Sequence, residues 1–308
     1  MREPPPQVDD AKLLAEVRRT WDAEIDAVEH LPVGFGAHHW TAYADGSPRL
    51  FVTFDLLEPK RTAEQLEAAY AGASALYAAG LEFVLPSLVG ADGSFTLRFA
   101  HGALSCTPWR HGTPGGELDL AWTTEALRRL HRTPPPAGLP RWRPLVGADF
   151  AERTEALLAR PWGPGPYAEQ AREATRRRLG DLARWTARYH HLALIARDRA
   201  WVPTHGESDS GNQLLTPEGR LLVDWESLKL APAELDLRTL VDAGAEPHEV
   251  GAEPAMLELF DLEWRLDEIS QYAAWFAAPH EGTADDEIAF GGLLQELERP
   301  AQAATSGG

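Results

Sequence analysis

The 308-residue chain is poor in cysteine, in lysine and in uninterrupted apolar sequence. Its one cysteine, Cys106, excludes an intrachain disulfide and any Cys-x-x-Cys zinc or redox motif. No run approaches the ~20 apolar residues that a membrane-spanning helix needs. The opening MREPPPQVDD lacks the apolar stretch of a secretory signal, so the expected setting is cytoplasmic, with no membrane partner. Only Lys12, Lys60 and Lys229 among the 29 basic residues are lysines, and 47 acids bring the net charge to −18. Nucleic acid is excluded as an expected partner, because phosphate-backbone binding needs a basic footprint. An acidic chain instead attracts cations, polycationic small molecules included. There is no Gly-x-Ser-x-Gly nucleophile elbow, and HGTPGG at 111–116 lacks the Lys-Ser/Thr ending of a nucleotide P-loop.

What is present is ordinary globular composition, 44% hydrophobic and 25% charged. Helical spacing of Leu13, Leu14, Val17, Trp21 and Ile25 predicts a helix over Asp10–Ala27. Strands are expected at His38–Tyr43 and Arg49–Phe54 around an Asp45-Gly46 turn, and at Phe95–Ala100 and Ala103–Thr107. A helix lies between the two pairs, with Leu66, Ala69, Tyr70, Ala73 and Leu76 on one face. Cys106, in an apolar strand, reads as a buried inert thiol. Past Pro108 the pattern becomes helical, with one long helix predicted over Pro166–Arg197. Residues 241–300 hold fifteen acids against Arg265 and Arg299, which suits a solvated helical face or a wall that selects cations.

Chemistry concentrates in Thr204-His205-Gly206-Glu207-Ser208-Asp209-Ser210-Gly211-Asn212 and, twelve residues after Asn212, in Val223-Asp224-Trp225-Glu226. Phosphoryl transfer from a nucleotide needs a carboxylate beside the acceptor hydroxyl and hard oxygen ligands for Mg²⁺. Glu207, then Asn212 five residues on, then Asp224 after a short hairpin, supply those groups in that order. Asp209 is a second candidate base.

HGESDSGN…VDWE resembles the HGDxxxxN…IDW signature of the aminoglycoside phosphotransferase family, whose fold is protein-kinase-like. The resemblance covers about residues 30–240 and is strongest over 204–237. It implies an α+β bilobal fold, with a small antiparallel β-rich lobe over 1–107 and a mainly helical lobe over 108–308. It also implies an enzyme that uses ATP or GTP with Mg²⁺ to phosphorylate an alcohol group of a small molecule. APAELDL at 231–237 is similar to the family's DPxxDLA segment, which implies that Asp236 braces the catalytic loop shaped by His205 and Gly206. Thr107 and Trp109 fall where the family has its interlobe hinge, which implies that this stretch reads the nucleotide base. Gly34 and Gly36, in VGFGAHH, are candidates for a phosphate loop, although a plain turn fits a Gly-x-Gly equally well.

Three residues depart from the family. Glu207 replaces the catalytic Asp, a variant that keeps the carboxylate with a reach longer by about one C–C bond. Thr53 stands where the strand should carry a phosphate-binding Lys, leaving Lys60, Arg61, His38 or His39 to supply that contact. Ala231 replaces the first Asp of DPxxDLA. The expected acceptor is an aminoglycoside-like cationic antibiotic, met by carboxylates among Glu226, Asp261, Glu263, Asp267 and Glu268, with Trp264 and Trp275 as further lining candidates. Two alternatives stand: a kinase for a macrolide, peptide antibiotic, amino alcohol or sugar, and a pseudokinase that binds without turnover.

Overall fold

The computed structural model describes residues 2–5, 7–34, 36–57 and 61–299. In chain order the elements are α1 (Asp10–Thr20), β1 (Ala27–Leu31), β2 (His38–Ala44), β3 (Ser47–Leu56), α2 (Ala63–Ala78), β4 (Thr96–Phe99), β5 (Gly102–Pro108), β6 (Thr113–Pro114) and α3 (Leu120–Arg132). Then come α4 (Phe150–Leu158), α5 (Ala168–Arg177), α6 (Leu179–Ala196), β7 (Val202–Thr204), β8 (Gln213–Thr216), β9 (Gly219–Leu222) and β10 (Lys229–Ala231). The chain ends in α7 (Glu234–Asp242), α8 (Pro247–Val250), α9 (Pro254–Ala277) and α10 (Ala284–Glu298). Two compact units result: residues up to 142 with 201–245, and residues 143–200 with 246 onward.

The first unit is built on a five-stranded antiparallel sheet of order β1-β2-β3-β5-β4. Its β2–β3 hairpin turns on Asp45 and Gly46, both at positive φ (49° and 71°), the backbone that suits a tight two-residue turn to the strand twist. Alternation then sorts the side chains. Trp40, Ala42, Leu50, Val52, Phe54, Leu104 and Cys106 share one face and close a core with Leu13 and Val17 of α1. Cys106 is a free, buried thiol whose pKa burial pushes well up, as an inert thiol requires. The opposite face carries the register-matched polar set His39, Thr53 and Ser105, with Asp55 two residues along β3. Helix α2 enters through a Thr62–Gln65 capping box.

Two elements differ from the sequence expectation. Helix α1 stops at Thr20, not Ala27: the chain turns at Asp22, whose carbonyl accepts from Ile25 N, and Ala27–Leu31 pairs with β2 as an edge strand. Ile25 still joins the core, so an apolar position at helical spacing was satisfied from a turn. The long helix expected at 166–197 is two helices, divided at Arg178 (φ −102°, ψ 7°). Gly180, a weak helix former, lies two residues past that break. Among the described residues no helix is long and apolar enough to cross a membrane.

Candidate active site

The 204–229 excursion is pinned at both ends. Strand β7 pairs antiparallel with β10, Thr204 opposite Lys229, and Thr204 Oγ1 donates to Lys229 O at 3.0 Å. Between them the β8–β9 hairpin projects, and Leu222 at its end is tied to the 83–85 segment through Leu222 N→Phe83 O (2.7 Å) and Leu85 N→Leu222 O (3.2 Å). Two candidate positions, Asn212 and Asp224, flank a hairpin that is held on both sides.

The loop at 205–212 has a buried anchor in Asp236. Asp236, on α7 and fully buried, accepts from Gly206 N (2.7 Å), from His205 N (3.1 Å) and from His131 Nε2 of α3 (2.9 Å). His205 Nε2 lies 2.8 Å from Val223 O, and its Nδ1 accepts from Glu207 N at 3.2 Å, which together assign an Nε2–H tautomer. The ring meets Trp225 edge to face (4.6 Å between centroids), and Trp225, buried, donates to Leu222 O. The amide NH₂ of Asn212 donates to Glu207 O at 2.8 Å, which leaves its Oδ1 as the acceptor oxygen. Asp209 is exposed and spends one oxygen on Gly211 N at 2.7 Å, shaping the turn that leads to Asn212. Gly206 sits at φ +96°. Asp224 sits at φ 67°, ψ 61°, one of three described non-glycine residues at positive φ. Such a backbone costs energy for most side chains and is tolerated best by Asn and Asp.

Four carboxylates lie close enough to perturb one another: Asp55, Glu207, Asp224 and Glu226. Arg61 answers them, 3.5 Å from both Asp55 and Glu226. Burial first, then the Glu226 charge, raises Glu207 above the usual carboxylate range. The same two causes, with a hydrogen bond to Glu226, push Asp224 well above it. Asp224 remains accessible to solvent, so repulsion is the more durable of its causes. Burial also works against a charged Glu226, yet Arg61 and the bond from Asp224 hold it below the usual range. Asp55 is pushed up to about 6 by burial, with Arg61 opposing. Excess negative charge facing an accessible carboxylate is what a divalent cation would relieve.

The remaining candidates are distributed as follows. Gly34 and Gly36 lie between β1 and β2 at φ 70° and 103°, and a Cβ on Gly34 would come within 3.2 Å of His39 Nε2. Thr53 faces His39 at 3.3 Å, and burial lowers the His39 pKa to about 3, so His39 supplies no cation there. His38 falls on the opposite, core face of β2, beside Trp40 and Phe54. Lys60 lies outside the described residues. Thr107 pairs with Phe51, and Trp109 N donates to Arg49 O at 2.9 Å while its indole N–H is buried without a hydrogen-bond partner. In the second unit, on α9, Asp261 pairs with Arg299 (2.7 Å), Glu263 accepts from Tyr189, Asp267 accepts from Gln271 (2.6 Å) and Glu268 interacts with Tyr272. Trp264 is partly exposed, and Trp275 donates to Asp286 at 2.7 Å. Asp55 and His131 were not singled out from sequence, and Tyr70 was read only as part of the apolar face of α2. Period-two alternation from Thr53 would have found Asp55, whereas nothing local marks His131.

The sheet, the braced loop and the hairpin ending in Asp224 define a kinase-like fold. The protein belongs to the phosphotransferase enzyme family, whose family model matches residues 28–265. It is 28% identical over 296 residues to Protein StrN of Streptomyces griseus, spanning 91% of this chain and 89% of that protein. Among solved structures it resembles spectinomycin phosphotransferase APH(9)-Ia in complex with ADP and spectinomycin, with TM-score 0.70, 14% identity and 97% of each chain covered. It also resembles the amicoumacin kinase hAmiN in complex with AMP-PNP, Ca²⁺ and Ami, with TM-score 0.57, 12% identity, and 94% and 93% covered. The aminoglycoside phosphotransferase resemblance and the α+β kinase-like fold expected from the sequence are both found. The chain is a small-molecule phosphotransferase.

Proposed function

We propose that this enzyme transfers the γ-phosphoryl group of ATP or GTP to a hydroxyl of an aminoglycoside-like cationic antibiotic. The observation that carries the reading is the loop anchored by Asp236, which holds Glu207 and Asn212 near an Asp224 kept in a strained backbone. In this reading Glu207 accepts the acceptor's O–H proton as its oxygen attacks the γ-phosphorus, the bond from that phosphorus to the bridging oxygen breaks, and the nucleoside diphosphate leaves. A carboxylate whose pKa is raised by burial and a neighbouring charge is a stronger base than an ordinary one.

Mg²⁺ fits the donor set present. Among the described residues no group of three or more His, Cys, Asp or Glu is placed to hold a metal by itself. Mg²⁺ commonly takes one or two protein oxygens and completes its shell with water and phosphate oxygens. Asn212 Oδ1 and the Asp224 carboxylate are hard oxygens of that kind, and the unpartnered Glu226 Oε2 marks unspent negative charge beside them. When bound there, the ion would neutralise phosphate charge. Gly34 and Gly36 would leave backbone N–H groups near the phosphates, and Thr107 and Trp109 would meet the base, with the division between nucleotide-binding and catalytic portions near 107/108.

Acceptor recognition rests on charge. The carboxylates proposed to meet a cationic group are Glu226, Asp261, Glu263, Asp267 and Glu268, each of which already has a partner in the fold. The alternative acceptors, a macrolide, a peptide antibiotic, an amino alcohol or a sugar, use the same phosphotransfer chemistry. The test is incubation with ATP or GTP, Mg²⁺ and a panel of these classes, reading acceptor mass. A gain of one phosphate on an aminoglycoside supports the proposal. A gain on another class overturns the acceptor only. Nucleotide binding with no transfer to any acceptor would replace it with the pseudokinase reading.

A further inference from the structure

The β3 strand lacks a lysine, and Thr53, where the resemblance expects one, turns its hydroxyl to His39 at 3.3 Å. In kinases the strand cation pairs with a helix carboxylate. Here the helix carboxylate nearest that role is spent elsewhere: Glu67 on α2 accepts from Phe95 N (2.8 Å), Thr96 N (2.8 Å) and Thr96 Oγ1 (2.6 Å), fixing the start of β4. The charges that remain on this face are reversed in polarity. The strand supplies the anion, Asp55, on the same face as Thr53 and steadied by Tyr70 Oη of α2 at 3.2 Å. The cation is Arg61, at the entry to α2, 3.5 Å from Asp55 and 3.5 Å from Glu226.

We propose that Arg61 is the phosphate-contacting cation of this enzyme, positioned by Asp55 in a strand–helix ion pair of reversed polarity. The inference rests on the phosphotransferase reading given above. Arg61 Nη2 donates to Glu226 Oε1 at 3.5 Å, whereas Nη1, though buried, makes no hydrogen bond and faces both carboxylates only as an ion pair. A guanidinium has five N–H donors and a planar fork that matches phosphate oxygens. Asp55 and Glu226 also hold Arg61 protonated against the cost of burial. Asp55 is a positioning residue: it holds the guanidinium and touches no substrate.

The test is calorimetric titration of the full chain with adenosine, ADP and ATP, and with guanosine, GDP and GTP, in Mg²⁺. Arg61→Ala should weaken the diphosphate and triphosphate about 10- to 100-fold, the weight of a charge-assisted contact, and leave the nucleoside unchanged. Asp55→Asn should show the same phosphate-dependent loss at smaller size, and Arg61→Lys should keep part of the binding. If Arg61→Ala does not fold, Arg61→Lys and Asp55→Asn decide the matter by the same ratio of triphosphate to nucleoside affinity. Adding Thr53→Lys to Arg61→Ala should recover triphosphate binding. Equal weakening of nucleoside and triphosphate, no weakening at all, or a selective loss in Lys60→Ala but not in the Arg61 variants overturns the assignment. Where wild-type protein still phosphorylates an acceptor, those outcomes remove Arg61 alone. A wild type that binds neither triphosphate removes the parent reading with it.

Discussion

Removing the Asp236 carboxylate should release the loop that carries Glu207. The side chain is fully buried and accepts three hydrogen bonds, from Gly206 N at 2.7 Å, His205 N at 3.1 Å and His131 Nε2 at 2.9 Å. Asp236→Ala leaves three donors without a partner, each worth about 1–3 kcal/mol when buried and unsatisfied. Relaxation of the loop toward water recovers part of this, so the expected loss is about 3–5 kcal/mol, at the upper end for single substitutions. Asp236→Asn keeps the shape but sets an NH₂ against an N–H, which costs about 2–3 kcal/mol. Hydrogen exchange reads the loss locally. The His205 and Gly206 amides should exchange about 10²–10⁴-fold faster in Asp236→Ala, at about 1.4 kcal/mol per decade, while β2 and β3 amides keep their protection. Turnover should fall with the loop, because a positioned base displaced by an ångström loses orders of magnitude. Unchanged exchange at His205 and Gly206, with Asp236 truncated, would refute the reasoning.

Glu207→Gln should keep nucleotide binding and cut turnover by roughly 10²–10⁴, checked by steady-state kinetics, whereas Glu207→Asp tests whether the site depends on the longer reach. Wild-type rates in Glu207→Gln would shift the role to Asp209. Asp224→Ala should abolish Mg²⁺-dependent transfer, read by titrating metal against rate, and replacing Asp224 by Val should also lower the melting temperature, because its φ of 67° suits a β-branched side chain badly. For His39, the folded pKa of about 3 lies below the ordinary 6.5, so the neutral ring is the form that folding favours. Its contribution is fully present above pH 6.5 and is lost as pH falls toward 3, at most about 5 kcal/mol by 1.36 kcal/mol per pH unit. Urea melts across that range should lose close to one proton of pH dependence in His39→Gln, and an unchanged slope would contradict the assignment.

The legible features share one property: they are local. The Asp45-Gly46 hairpin, the alternation that puts Cys106 in the core and the Glu207–Asn212–Asp224 spacing each lie within a short stretch. What escaped depends on partners far along the chain. His131 reaches Asp236 across 105 positions, and no pattern near RLHR signals it. Edge strand β1 exists because β2 accepts it, against a helical periodicity that Ile25 continues. The break at Arg178 shows the reverse limit: apolar spacing extended through 166–197, but it reports which face is buried and not whether the backbone is continuous.

The missing lysine shows how the two kinds of information combine. Sequence marks Thr53 as a departure but leaves four candidate cations. Geometry then sorts those it describes by criteria that sequence does not hold. His38 is removed by strand parity, because β2 turns it to the core. His39 is removed as a cation by burial. Arg61 survives for an electrostatic reason: Asp55 and Glu226 are buried carboxylates, and each needs a counter-charge that cannot be titrated away. Arginine meets that demand better than lysine, since its delocalised charge persists where an ammonium would lose its proton. On the proposal that Arg61 takes this role, a cation at the helix entry between two buried carboxylates calls for arginine's chemistry, in keeping with a chain that has only three lysines among its 29 basic residues.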